Sequence, residues 1–243
     1  MTLPRARPAG CRLFIAIEPP PAALDHLAEF TAGLGFVRAG VRVTARHLWH
    51  VTLAFIGEVP ETLLPAAVTA LDRAAVTVRP APARPRRAAP PHRSPAPAGS
   101  ATPAESAVPA RSPVPAPEAA RLAGGGRFGR GRFTIMWAGV EGELTPLRRA
   151  TTRALKRERL PYDAKRYHPH LTLGRPGDRV LPEVIGADLD ALAGYRGPSW
   201  TIGGLVLYRS HLGPNPVYEP LHAVSLSAEP GRPAVSEPPD QPG

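Results

Sequence analysis

Two tetrapeptides, His50-Val51-Thr52-Leu53 and His170-Leu171-Thr172-Leu173, each place an imidazole and a hydroxyl two residues apart inside an apolar run. Residues two apart face the same side of a strand, so in each copy the His and the Thr project together while the aliphatic residues pack behind them. Two imidazoles facing one another across a cleft suit in-line displacement at phosphorus. The entering oxygen must lose a proton on one side while the leaving oxygen gains one on the other, and an imidazole with a free pKa near ~6.5 can be either base or acid around neutral pH. The hydroxyls of Thr52 and Thr172 can donate to the non-bridging oxygens, where charge concentrates in the transition state. A single H-x-T-L occurs in strands by chance. Two copies in separate apolar strands point to catalysis, and this chemistry needs no metal or cofactor in principle.

Around this core of His50, His170, Thr52 and Thr172, other side chains carry weaker signals. Arg175 closely follows the second motif and can neutralise phosphate, although a surface arginine needs no such explanation. His168 shares the parity of His170, but Pro169 places it just before the strand. A zinc site from His47, His50, His168 and His170 is conceivable, yet no Asp, Glu or Cys stands beside them at ligand spacing. Strict alternation sends Trp49 and Phe55 to the core with Val51 and Leu53.

The elements that must carry these residues fall in two blocks. In the first, "RLFIAIE" (Arg12 to Glu18) reads as a buried strand ended by Pro19 to Pro21, and Ala22 to Ala32 as a helix with one apolar stripe. "HLWHVTLAFIG" is a strand ended by Gly57, Pro60 precedes a second helix through Leu71, and Ala75 to Val78 reads as a further strand. The second block opens with a strand, Arg132 to Val140, and a helix capped by Thr145 that runs to about Arg159. A strand, His170 to Arg175, a weaker helix interrupted by Gly186, Leu181 to Leu192, and a strand, Thr201 to Ser210, complete it. The order strand, helix, H-x-T-L strand occurs twice, which predicts two similar lobes.

Between Pro80 and Arg121 the chain is a Pro, Ala, Arg and Ser mixture with hardly any large apolar residue, and Ala228 to Gly243 is similar. Such composition cannot bury enough surface to offset chain entropy, so both are expected to be disordered and outside a single domain spanning 12–226. No apolar run approaches the ~20 residues that cross a bilayer, and the first ten residues lack the apolar stretch of a secretory signal. A single cysteine, Cys11, excludes an internal disulfide and fits a reducing cytoplasm. The net charge of +10 favours an anionic partner, and the arginine-rich stretch from Arg127 to Arg175 reads as either an RNA-facing surface or a solvated helix face.

With "RLFIAIEPP", "HLWHVTLAFIGEV", "MWAGV", "YHPHLTLGR" and "LVLYRSHLGPNPVYEPL" in that order, the chain resembles the two-histidine phosphoesterases, and among them the RNA 2',3'-cyclic phosphodiesterase or 2'-5' RNA ligase family. The resemblance covers nearly all of both blocks. It implies an α+β fold of two pseudo-symmetric lobes, each an antiparallel sheet with helices, enclosing a central cleft. It implies hydrolysis of an RNA terminal 2',3'-cyclic phosphate to a 2'-phosphomonoester without metal, and nothing in the sequence demands more than a monomer. His50 matches the proton donor to the 3'-oxygen, His170 the acceptor that activates water, and Thr52 and Thr172 the phosphate-holding threonines. The same acid and base would serve 2'-5' ligation, and a non-catalytic nucleotide- or RNA-binding module of this fold is the third reading. The long insertion before "RFTIMWAGV" departs from the pattern and leaves access to the cleft open.

Overall fold

Along β1 (Gly10–Ile17), Leu13, Ile15 and Ile17 alternate with Arg12, Phe14 and Ala16, so one face of the strand can join a helix-covered core while the other is free to line a site. A computed structural model describes residues 10–78 and 119–226. After β1 come α1 (Pro21–Ala32), α2 (Gly35–Arg38), β2 (Arg42–Val43), β3 (Val51–Pro60) and α3 (Leu64–Val78). The second block holds β4 (Ala119–Phe128), β5 (Ile135–Glu141), α4 (Leu144–Arg157), β6 (His170–Arg175), α5 (Pro182–Gly194), β7 (Arg196–Thr201), β8 (Gly204–His211) and β9 (Val217–Ser225). No helix among the described residues is long and apolar enough to cross a membrane.

The strands form two antiparallel sheets, β3-β1-β8-β9 and β2-β6-β5-β4-β7. The expected α+β fold with two lobes is therefore present, and the pseudo-symmetry extends to strand order. In each sheet an H-x-T-L strand pairs with an earlier strand of its own block, β3 with β1 and β6 with β5, followed by two more strands. The lobes are not the two halves of the sequence, however. β8 and β9 return to β1, and β2 crosses to the edge of β6. The helices cross as well: α1 lies against β7 and β4, whereas α4 lies against β3 and α3. One continuous core thus runs from Leu13, Ile15 and Leu53 to Leu122, Met136 and Leu171.

Four local expectations are corrected. Ala75–Val78 is the last turn of α3, not a strand, because Ala67, Ala70, Leu71, Ala74 and Ala75 form one buried helical stripe that carries the helix onward. Ala119 to Arg121, assigned to the insertion, opens β4, a strand of Ala and Gly that is held by β5 and β7 on its two sides. α4 begins at Leu144 with no side-chain cap, so Thr145 is helical and Pro146 sits in the first turn, where amide donors lack intrahelical partners anyway. Finally, the run from Thr201 to Ser210 is divided at Ile202 and Gly203 between β7 and β8. The rest of the Pro-rich insertion and 228–243 lie outside the described residues.

Candidate active site

Both motif strands carry a bulge at the same place. Opposite β1, Thr52 pairs with Ala16 and Ala54 with Ile15, which leaves Leu53 out of the ladder. Opposite β5, Thr172 pairs with Trp137 and Gly174 with Met136, leaving out Leu173. An extra residue reverses the alternation beyond it. Phe55 therefore joins His50 and Thr52 on the cleft face rather than the core, which corrects the expectation for it, and Arg175 joins His170 and Thr172. Trp49 remains in the core and donates from Nε1 to the Thr44 carbonyl at 3.0 Å. The carbonyls displaced at the bulges find outside donors: Leu173 accepts from the Thr44 amide at 2.8 Å, and Leu53 from the Arg148 guanidinium.

The five predicted residues His50, Thr52, His170, Thr172 and Arg175 share one cleft of about 780 Å³. His47 lines it too, as do Arg12, Phe14, Arg42 and Tyr218, none of which was singled out from the sequence. Arg12 and Phe14 had a signal, a shared parity on β1 opposite to that of the core residues. Arg42 had none, since a two-residue strand has no period. Among the described residues the lining contains three arginines and no carboxylate, and none of those arginines makes a salt bridge. Arg42 and Arg175 are direct cross-strand partners. Like charges in that relation repel, and an anion between them would relieve the repulsion. Arg42 also donates to the Pro214 carbonyl in the β8–β9 turn at 2.9 Å, joining the rims of the two sheets.

The imidazoles are held alike. His50 Nδ1 lies 2.8 Å from the Leu48 carbonyl, and His170 Nδ1 lies 2.7 Å from the His168 carbonyl. A carbonyl only accepts, so each Nδ1 carries hydrogen and each Nε2 is the nitrogen that exchanges a proton. His168 thus contributes through its backbone. His50 Nε2 is 3.1 Å from Thr52 Oγ1, whereas His170 Nε2 has no hydrogen-bond partner among the described residues. Aromatic rings flank both. Phe14 and Tyr218 lie 4.8 and 5.1 Å from the His50 ring, and Phe128 lies 4.8 Å from that of His170. Burial pushes the His50 pKa down from 6.5 to about 4, against the Leu48 carbonyl, with a further lowering from His170. Burial also lowers His170, opposed by the His168 carbonyl and helped by the His168 ring. Because a proton on His170 disfavours one on His50, the two rings titrate as a coupled pair.

Among the described residues no group of three or more His, Cys, Asp or Glu is arranged to hold a metal ion. Of the basic run, Arg149, Arg153, Lys156, Arg157, Lys165 and Arg166 stand on the surface, whereas Arg148 turns inward to Leu53.

The family described as LigT like Phosphoesterase matches residues 17–89 and 138–218, more than half of the chain and both motifs. The chain belongs to this family. It is a phosphoesterase of the two-histidine superfamily. Among solved structures, TT0787 of Thermus thermophilus is 26% identical with a TM-score of 0.59, over 88% of this chain and 97% of that one. Apo LigT of E. coli is 19% identical with a TM-score of 0.56, over 89% and 97%, and shares the fold. No curated protein sequence matches.

Proposed function

We propose that this phosphoesterase hydrolyses the terminal 2',3'-cyclic phosphate of RNA to a 2'-phosphomonoester, without a metal ion. The observation that carries the reading is the pairing of two imidazoles, each held with Nε2 as its exchanging nitrogen, in a cleft lined, among the described residues, by Arg12, Arg42 and Arg175 and by no carboxylate. Such a lining attracts an anionic phosphodiester and sets no negative charge against it. Water attacks phosphorus and gives its proton to His170 Nε2. The bond from phosphorus to the 3'-oxygen breaks, and the 3'-oxygen takes a proton from His50 Nε2, which is neutral in the empty cleft and becomes charged when the phosphodiester anion sits beside it. Thr52, Thr172 and Arg175 hold the non-bridging oxygens. The direction of transfer, His50 as donor and His170 as acceptor, follows the family resemblance. Phosphate and nucleotide complexes of this fold are known in E. coli LigT, solved with phosphate and with 3'-AMP.

The test is product analysis on an oligonucleotide ending in 2',3'-cyclic phosphate, with and without a 5'-hydroxyl acceptor, in the presence of chelator. A 2'-phosphomonoester is expected, lost in His50→Ala and His170→Ala. A 2'-5' linked product would establish ligation instead. Activity abolished by chelator and restored by zinc would overturn the mechanism, and phosphate binding without turnover on any substrate would make the chain a binding module.

A further inference from the structure

The bulge at Leu53 is what brings Phe55 to the same side as His50 and Thr52, and it persists only if the displaced carbonyl is satisfied, since a buried acceptor without a donor is costly. In the other lobe the equivalent carbonyl, of Leu173, takes a main-chain amide. At Leu53 the donor is a side chain, the Arg148 guanidinium on α4. Its second nitrogen donates to the Asp163 carbonyl, and the Asp163 amide donates to the Phe55 carbonyl at 2.9 Å, two residues past the bulge. One planar fork therefore closes a ring through Leu53, Arg148, Asp163 and Phe55. The rings of Tyr162 and Tyr167 flank the guanidinium at 5.9 and 5.4 Å, while the Asp163 carboxylate pairs with Lys165. Arg148 does not line the cleft.

We propose that Arg148 is a positioning residue, which holds β3 in the bulged phase that turns His50, Thr52 and Phe55 together into the cleft. The proposal rests on the reading of His50 and Thr52 as catalytic and phosphate-holding groups. Lysine can reach only one of the two carbonyls and has no planar fork, so it is not a conservative replacement here.

The experiment compares wild type, Arg148→Met, Arg148→Lys and Arg148→Ala with Arg73→Ala, a control that breaks a surface pair between α3 and Glu158. Steady-state kinetics on a cyclic-phosphate dinucleotide are measured well below each protein's thermal midpoint, and the His50 ring is titrated by NMR without substrate. A misplacement near 1 Å costs about 100-fold in rate. We expect kcat to fall about 30- to 100-fold in Arg148→Met, with KM changed less than about threefold because Arg12, Arg42 and Arg175 remain. The His50 titration should move up toward the ordinary imidazole range, and millimolar guanidinium should restore part of kcat to Arg148→Ala but leave Arg73→Ala unaffected. Unchanged kcat and an unchanged His50 titration, with only a lower thermal midpoint, would overturn the proposal. Should Arg148→Met fail to fold, Arg148→Lys carries the same comparison. If wild type hydrolyses no cyclic phosphate, the substrate assignment fails, while the His50 titration still reports the phase of β3.

Discussion

Replacing His50 with asparagine should make the protein less sensitive to acid. The His50 ring is enclosed by Phe14, Tyr208 and Tyr218, faces Thr52 and is coupled to His170. Its pKa is about 4 in the folded protein against 6.5 for a free imidazole. Above the free value neither state binds the proton, and below about 4 both do. Between them the unfolded chain binds more, so stability is fully present near neutrality and is lost as pH falls through that window. The difference amounts to about 3 kcal/mol from this one ring. His50→Asn keeps a donor for the Leu48 carbonyl and removes the titration. Urea unfolding followed by circular dichroism at about pH 7 and about pH 4 provides the assay. With m-values of ~2 kcal/mol per molar urea, the wild-type midpoint should fall between these pH values by about 1.5 M more than that of the variant. Carboxylates and His170 titrate in both proteins, so the difference reports His50 together with its coupling to His170. Equal losses in the two proteins would refute the idea that this ring is held neutral by burial. Inorganic phosphate in the cleft should also raise the His50 titration midpoint, because an anion favours the imidazolium.

Gly126→Ala would place a Cβ 2.5 Å from the Trp137 indole, whose ring centroid lies 4.7 Å from that of His168 and 6.1 Å from that of His170. The indole must move, with an expected cost of about 1–3 kcal/mol and a reduced kcat, read by denaturation and steady-state kinetics. Asp188 is buried and accepts from the Gly35 and Phe36 amides at 2.7 and 2.8 Å, fixing α2 just before Arg42 reaches the cleft. Asp188→Ala should lower stability by about 3 kcal/mol, read by urea denaturation, and raise KM more than it lowers kcat. If the exposed cations of α4 contact RNA, Arg149→Gln, Arg153→Gln and Lys156→Gln combined should reduce the salt slope of log KM by about 2 for a long cyclic-phosphate RNA and by nothing for a dinucleotide.

The motif residues were legible because two apolar strands carried the same polar pair, and strand parity alone put His with Thr. What lay beyond the bulges was not. Simple alternation sends Phe55 to the core, and no residue type announces that Leu53 and Leu173 will be skipped. Arg175 was named for its nearness to the motif, whereas its place in the cleft depends on the bulge at Leu173. Arg148 was one member of a basic run, indistinguishable in sequence from its exposed neighbours. β4 was hidden by its composition: "AGGG" disfavours a strand locally, and only close approach to Trp137, tolerated because Gly126 lacks a Cβ, makes the pairing possible. The repeat of strand, helix and motif strand predicted two lobes correctly but could not show which sheet each helix would cover.

The crossing of α1 and α4 has a mechanical consequence. Because each block lends its helix to the other block's sheet, neither lobe can swing away without tearing the core that contains Leu13, Leu53, Leu122 and Leu171. The span between the two imidazoles should therefore be a fixed dimension, which a ligand has to bridge to meet both rings. Any movement around a ligand would fall to the rim, where Arg42 tethers the turn at Pro214. By the same reasoning, the two blocks expressed as separate polypeptides should be inactive alone and regain function only by folding around one another.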